Sequence, residues 1–134
     1  MPDRIRRERR EGWRKPDGAV IVDRTSIWGN PRRWSIYLST GAARTPANAK
    51  RMAADWYDDW LDGHYRIADL ETRRLRILTR LGELAGKDLA CPCNLPEPGQ
   101  ADHCHAARLI TRVQRWEVAH AASADPAPAG AAGR

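Results

Sequence analysis

Three cysteines and two histidines fall between residues 91 and 105: Cys91, Cys93, His103, Cys104 and His105. Three thiolates and one imidazole make a tetrahedral zinc set. Cys91, Cys93, Cys104 and His105 are the candidate ligands, and His103 rivals His105 for the fourth place. The Cys-x-Cys spacing is tighter than the usual two-to-four-residue spacer. The same residues also suit chemistry without a metal. If a helix starts at Asp102, a good cap residue, Cys104 lies in its first turn, where unpaired amides and the helix dipole favour a thiolate. Cys104 and His105 are then candidate catalytic residues, a nucleophile with a neighbouring base. A third reading makes the cysteines small buried apolar side chains. Their clustering with two histidines weighs against it.

A second group is Arg24-Thr25-Ser26-Ile27-Trp28-Gly29-Asn30-Pro31-Arg32-Arg33, directly after a short apolar run. In open α/β sheets, ligands bind in loops after the carboxyl ends of strands. Arg24, Arg32 and Arg33 can hold phosphate or carboxylate through forked hydrogen bonds. Gly29 permits close backbone approach to a ligand, and Trp28 can stack on a base. Arg24, Ser26, Trp28, Gly29, Asn30 and Arg32 are the candidate ligand-binding residues. The simpler alternative makes Gly-Asn-Pro a tight turn and Trp28 a core anchor. Gly-x-Gly-x-x-Gly, P-loop and Gly-x-Ser-x-Gly motifs are absent, which argues against dinucleotide dehydrogenases, P-loop ATPases and standard serine hydrolases. His64 and His120 fall at helix ends, where surface positions are expected.

The elements that must position these residues follow from periodicity. Ala19–Val22, after the turn signal Pro16-Asp17-Gly18, reads as a buried strand. Trp34, Ile36 and Leu38 alternate with polar neighbours and read as a second, half-exposed strand. A first helix is capped by Thr45, admits Pro46 in its first turn and stops before Gly63. Its stripe is Ala49, Met52, Ala53, Trp56, Tyr57 and Trp60, with Asp55, Asp59 and Asp62 on a solvated face. A second helix runs from about Ala68 to Ala85 and ends at Gly86. A short strand, Asp88–Cys91, leads into the loop Pro92–Ala101. A third helix begins near Asp102 and buries Leu109, Ile110, Val113 and Trp116. Strands alternating with helices predict a small α/β domain of two or three layers, with a short, mainly parallel sheet and about three helices.

The 134 residues suit one domain, with 42% hydrophobic and 30% charged residues. No apolar run reaches the roughly 20 residues of a membrane span, and no secretory signal is evident. A cytoplasmic protein is expected. The odd cysteine count argues against a disulfide scaffold. Residues 1–15 hold seven basic and three acidic residues, which is +4 of the net +6. Residues 1–14 therefore read as a basic flexible arm, and residues 121–134, rich in Ala, Pro and Gly, as a disordered tail. The folded domain is placed at residues 15–120.

The residues also carry a resemblance. Arg24-x-Ser26-x-Trp28-Gly29-Asn30-Pro31, Tyr57 with Trp60-Leu61, Leu84-x-Gly86-Lys87-Asp88-Leu89-Ala90-Cys91-x-Cys93 and Cys104-His105-Ala106 together resemble the "domain of unknown function 4326" family, over about residues 16–116. The resemblance implies a compact α/β domain of bacteria and their phages, in an intracellular setting. It supplies no established activity. Phage association points toward nucleotide or nucleic-acid metabolism. This chain departs from the pattern at Pro92, where the family is usually aromatic, at Ala107, where an acid is usual, and in the longer loop from Cys93 to Cys104.

If the two strands are parallel, the loops after them meet at one sheet edge beside the third helix's N-terminus. That predicts a pocket for a nucleotide-like or phosphorylated small molecule, serving binding or an enzyme. Arg24 and Asn30 would hold the ligand, and Cys104 with His105 would react or bind metal. The alternative is a nucleic-acid-binding accessory protein that holds structural zinc and grips DNA or RNA phosphates with its basic arm. A third is a docking protein whose exposed tryptophans form an interface.

Overall fold

A computed structural model describes residues 3–8 and 10–124. Three parallel strands form one sheet in the order β1-β3-β2, with β1 at Arg4–Arg6, β2 at Val20–Ile21 and β3 at Leu89–Cys91. The register sets Arg4 and Val20 beside Leu89, and Ile5 and Ile21 beside Ala90. Side chains alternate between faces along a strand. Val20, Leu89 and Cys91 thus share one face, and Ile5, Ala90 and Ile21 the other. Leu89 and Cys91 join the main core with Val22, Tyr57, Leu109 and Val113. The helices cover that face: α4 (His105–Ala124) packs on β1 and β3, and α2 (Pro46–Leu61) packs on α4. With α1 (Ser35–Ser39) and α3 (Ala68–Thr79), the described residues form a small α/β domain of four helices and a short parallel sheet. None of these helices is long and apolar enough to cross a membrane.

The capping logic of α2 holds in detail. Thr45 accepts a hydrogen bond from the Asn48 amide at 3.2 Å, Pro46 opens the first turn, and Gly63 follows the end with φ +88°. The next helix is shorter than its periodicity predicts. α3 stops at Thr79, and Leu81–Leu84 form a 3₁₀ turn. Gly82 is required there, because a Cβ would lie 2.8 Å from the Trp116 ring of α4.

Four expectations are corrected. Residues 34–38 do not form a strand. They lead into the short helix α1, whose partly buried side is Trp34, Tyr37 and Leu38 while Ile36 is 45% exposed. Over five residues, an i, i+3, i+4 stripe and strict alternation are hard to tell apart. Secondly, residues 3–7 of the expected flexible arm are tied to the sheet. The Leu89 amide donates to Asp3 O at 2.9 Å and the Arg7 amide to Cys91 O at 2.8 Å, which fixes β1 at the sheet edge. Two of this segment's charges are matched within the fold, Arg4 with Asp102 and Arg7 with Asp23. Arg4 is buried and pairs with Asp102, while its other nitrogens donate to Cys93 O at 3.0 Å and Asn94 O at 2.7 Å. Thirdly, the last helix starts at His105, and Asp102 is committed to Arg4 instead of capping it. Cys104 stands at the cap position, its carbonyl accepting from the Ala107 and Arg108 amides. Lastly, the acidic face of α2 is not merely solvated: Arg108 pairs with Asp55 and Asp58, and Arg112 with Asp58 and Asp62, locking α2 to α4. Of the expected tail, residues 121–124 continue α4, and residues 125–134 lie outside the described residues.

Candidate functional site

Because β2 and β3 are neighbouring and parallel, their carboxyl ends deliver Asp23–Arg33 and Pro92–Cys104 to the same edge of the sheet. There a cleft of about 520 Å³ is lined by Arg24, Asn30, Arg32, Arg33, Trp34 and Lys50 together with Cys91, Cys93, His103, Cys104 and His105. The volume lies within the range of small-molecule sites. Small side chains on α2, Ala53 and Ala54, form part of its wall.

The sulfur cluster is compact. Cys91, Cys93 and Cys104 have Sγ atoms within 4.8 Å of one another, and Cys104 Sγ donates to Cys91 Sγ at 3.5 Å. This is a group that can hold a metal ion. Cys91 is 2% and Cys104 4% exposed, while Cys93 is half-buried. Hydrogen bonding with the Cys104 and Cys91 thiols pulls the Cys93 thiol far below its ordinary value, helped by the Arg4 charge. Cys104 is pushed up by its interactions with Cys91 and Cys93, and burial adds to this. Cys91 also rises, to about 11: the bond from Cys104 lowers it, but Cys93 and burial outweigh that. Cys104 is buried and donates to Cys91, whereas reactive cysteines sit in partly exposed, electropositive surroundings.

His105 stands beside the cluster with its ring fixed. Nε2 donates to Val22 O at 2.5 Å, which leaves Nδ1 as the unprotonated nitrogen, 3.9 Å from Cys104 Sγ. The ring packs edge-on against Tyr57, centroids 5.4 Å apart, and burial pulls its pKa down so that it is neutral. Of the four expected metal ligands, the fold brings the three cysteines together, and His105 lies outside that mutual grouping.

The turn after β2 divides its expected ligand residues into two sets. Arg24 and Arg33 are exposed at the cleft, and their guanidinium groups have no hydrogen bond or ion pair among the described residues. Arg32 also lines the cleft, with its guanidinium 4.9 Å from the Trp56 ring centroid. Asn30 faces the cleft too, but both its polar ends are occupied: Nδ2 donates to Ala53 O at 2.9 Å, and Oδ1 accepts from the Arg32 amide at 3.0 Å. It positions Arg32. The rest build the turn. Ser26 Oγ donates to Asp23 O and accepts from the Trp28 amide. Trp28 is 4% exposed in the core, its carbonyl accepting from the Tyr57 hydroxyl at 2.6 Å. Gly29 is buried, and a Cβ there would lie 2.6 Å from both Arg24 Cα and Asp23 O. The close approach it permits is to its own chain, not to a ligand. Ser26, Trp28 and Gly29 thus shape the turn and do not line the cleft.

Four residues of this site escaped the sequence reading: Trp34, Lys50, Asp23 and Arg73. Trp34 takes the aromatic place expected of Trp28, with Lys50 Nζ 5.1 Å from its ring centroid. The small α2 residues Ala49, Ala53 and Ala54 are the available signal, since they mark where a helix approaches something closely. Arg73 of α3 donates to the carbonyls of Ser26, Ile27 and Gly29 at 3.2, 3.2 and 2.9 Å, which anchors the turn from behind.

Asp23 is 3% exposed and accepts from the Thr25 amide, the Thr25 hydroxyl and Arg7. Burial alone would raise its pKa; these hydrogen bonds and the Arg7 charge outweigh that and hold it below the usual carboxylate range. Its stabilising contribution is full above the unfolded-state pKa and is lost as pH falls through the lower folded value. Asp23→Asn should cost about 2 kcal/mol at pH 7, with the gap to wild type narrowing below about pH 4. Thermal melts of both proteins from pH 7 to pH 3 check this.

Fold and cleft together define a small parallel α/β domain with a thiol cluster at its strand ends. The chain belongs to the family described as domain of unknown function (DUF4326), whose model matches residues 5–115. That span takes in β1 from Ile5 onward, so the segment first read as an arm lies mostly within the family domain. No curated protein and no solved structure matches the chain.

Proposed function

We propose that the cleft binds a phosphorylated, nucleotide-like small molecule, and that a zinc ion on Cys91, Cys93 and Cys104 is part of the site. The observation that carries this reading is the meeting of two chemistries in one cavity: unpaired guanidinium groups of Arg24 and Arg33, with Arg32 and Lys50, and three clustered sulfurs. The carboxylate at the cleft, Asp23, is already paired with Arg7, so the cationic wall is not cancelled from within. Forked guanidinium donors suit phosphate oxygens. Trp34 offers a partly exposed aromatic face on which a base can stack. A sulfur donor set selects zinc over the hard cations magnesium and calcium.

Isothermal titration calorimetry tests the reading with adenosine monophosphate and inorganic pyrophosphate as probes. Both should bind the wild-type protein. Arg24→Ala/Arg33→Ala should weaken both by at least about 30-fold, corresponding to loss of about 2 kcal/mol of charge-assisted hydrogen bonding. Trp34→Ala should weaken only the nucleotide. No binding of either probe, or equal binding by the double variant, would overturn the proposal.

A further inference from the structure

The metal site on Cys91, Cys93 and Cys104 is built from three protein donors, and we propose that its fourth coordination position opens on the cleft, where a water or a donor atom of the bound anion completes the shell. This deepens the zinc-and-anion reading of the cleft and rests on it. Four observations support it.

First, among the described residues the mutual group of possible ligand atoms stops at three sulfurs. Tetrahedral zinc with bonds of about 2.3 Å places its sulfurs roughly 3.8 Å apart, a spacing that 3.5 Å between the Cys91 and Cys104 sulfurs nearly meets. Secondly, no other side chain among the described residues joins the group: His103 lines the cleft next to Cys104 in the chain, but its ring nitrogens lie outside the group. His105 Nδ1 is near Cys104, but it lies outside the group, and its ring is held by the Val22 carbonyl and Tyr57. Asp102 is committed to Arg4. Thirdly, all three cysteines line the same cleft as Arg24, Arg33 and Lys50, so the uncovered side of the cluster adjoins the cationic wall. Fourthly, the loop that carries Cys93 is held in place: Arg4 is buried and donates to Cys93 O at 3.0 Å and to Asn94 O at 2.7 Å.

Three protein ligands with one exchangeable position is the pattern of zinc sites that polarise a bound oxygen, whereas four closed ligands mark structural sites. The ligand class follows from the neighbours: an anion whose one end meets guanidinium groups and whose other end offers oxygen or nitrogen to the metal. A nucleoside phosphate has both.

Cobalt(II) reports the shell directly. The full-length protein, purified without a metal-binding tag and loaded with cobalt, should show thiolate charge transfer and the visible d–d bands of a tetrahedral site. Azide, a small exogenous ligand indifferent to the arginines, should shift the d–d bands in a saturable way. Pyrophosphate or adenosine monophosphate should shift them with the midpoint measured by calorimetry. His105→Gln, which can still donate to Val22 O but removes the Nδ1 donor, should leave the ligand-free spectrum unchanged. A spectrum unmoved by azide, or altered by His105→Gln, would show a shell closed by protein and overturn the inference. So would failure of the protein to take up cobalt. Bands that respond to azide while neither phosphorylated probe binds would uphold the open position and overturn the anion reading of the cleft.

Discussion

Cys104→Ser is expected to reduce bound zinc from near one ion per chain to a trace, with metal affinity weakened by at least about 100-fold. Loss of groups that merely orient a metal ligand already costs 10 to 100-fold, and Cys104 is placed to be a ligand itself. Its sulfur touches Cys91, and both are buried at the core's edge. Cys104→Ala, which keeps the position apolar, should lose the metal equally, and this separates ligation from packing. Because ligand atoms gathered by folding make metal affinity part of folding free energy, chelation of the wild-type protein should lower its melting temperature to that of the variants. Elemental analysis, competition with a chromophoric chelator and thermal melts check these outcomes. Retention of one zinc per chain by Cys104→Ala would contradict the three-cysteine assignment.

Gly29→Ala is the second large effect, at about 3 kcal/mol of lost stability. The added carbon would meet backbone atoms at 2.6 Å on two sides, Arg24 Cα and Asp23 O, and backbone cannot swing aside as a side-chain tip can. Relief requires the turn to open, which would pull Arg24 from its place and break the bonds Arg73 makes to Ser26, Ile27 and Gly29. Gly18→Ala is the natural comparison. Gly18 has φ +80° and nothing within 4 Å of its would-be Cβ, so only the backbone penalty of about 1 kcal/mol applies. Chemical denaturation of both variants measures the difference. Equal costs would mean that the turn is not packed against its own chain.

Local signals were legible in the sequence where one residue decides one geometry. Thr45, Pro46 and Gly63 bound α2 because cap, first turn and positive φ are each set within a few residues. The apolar runs before Asp23 and ending at Cys91 mark two of the three strands, and their parallel pairing brings the arginine turn and the sulfur loop together. What escaped was decided at long range. Nothing local distinguishes Arg4 from the other arginines near it; Asp102, 98 positions away, is what lets a charged residue sit buried in a strand. Trp28 and Trp34 are the same residue type in one short segment, and only the packing of α2 and Tyr57 decides which is core and which faces the cleft. The acidic α2 residues look solvated until Arg108 and Arg112, some fifty positions later, come to lie beside them.

The pairing of β1 with β3 also fixes an order of events during biosynthesis. The Leu89 amide bonds to Asp3 O, and Arg4 is in register with Leu89, 85 positions further along the chain. A nascent polypeptide must keep Asp3–Arg7 unpaired until the central strand has left the ribosome. Closing a span of that length costs roughly 4 kcal/mol of chain entropy, beyond a constant, before any contact repays it. The contact between the neighbouring helices α2 and α3 faces no comparable delay, since the two are near in sequence. The edge strand therefore docks late, and with it the Arg4 guanidinium that clasps the Cys93–Asp102 segment, so the sulfur ligands reach their final arrangement only once synthesis of this region is complete.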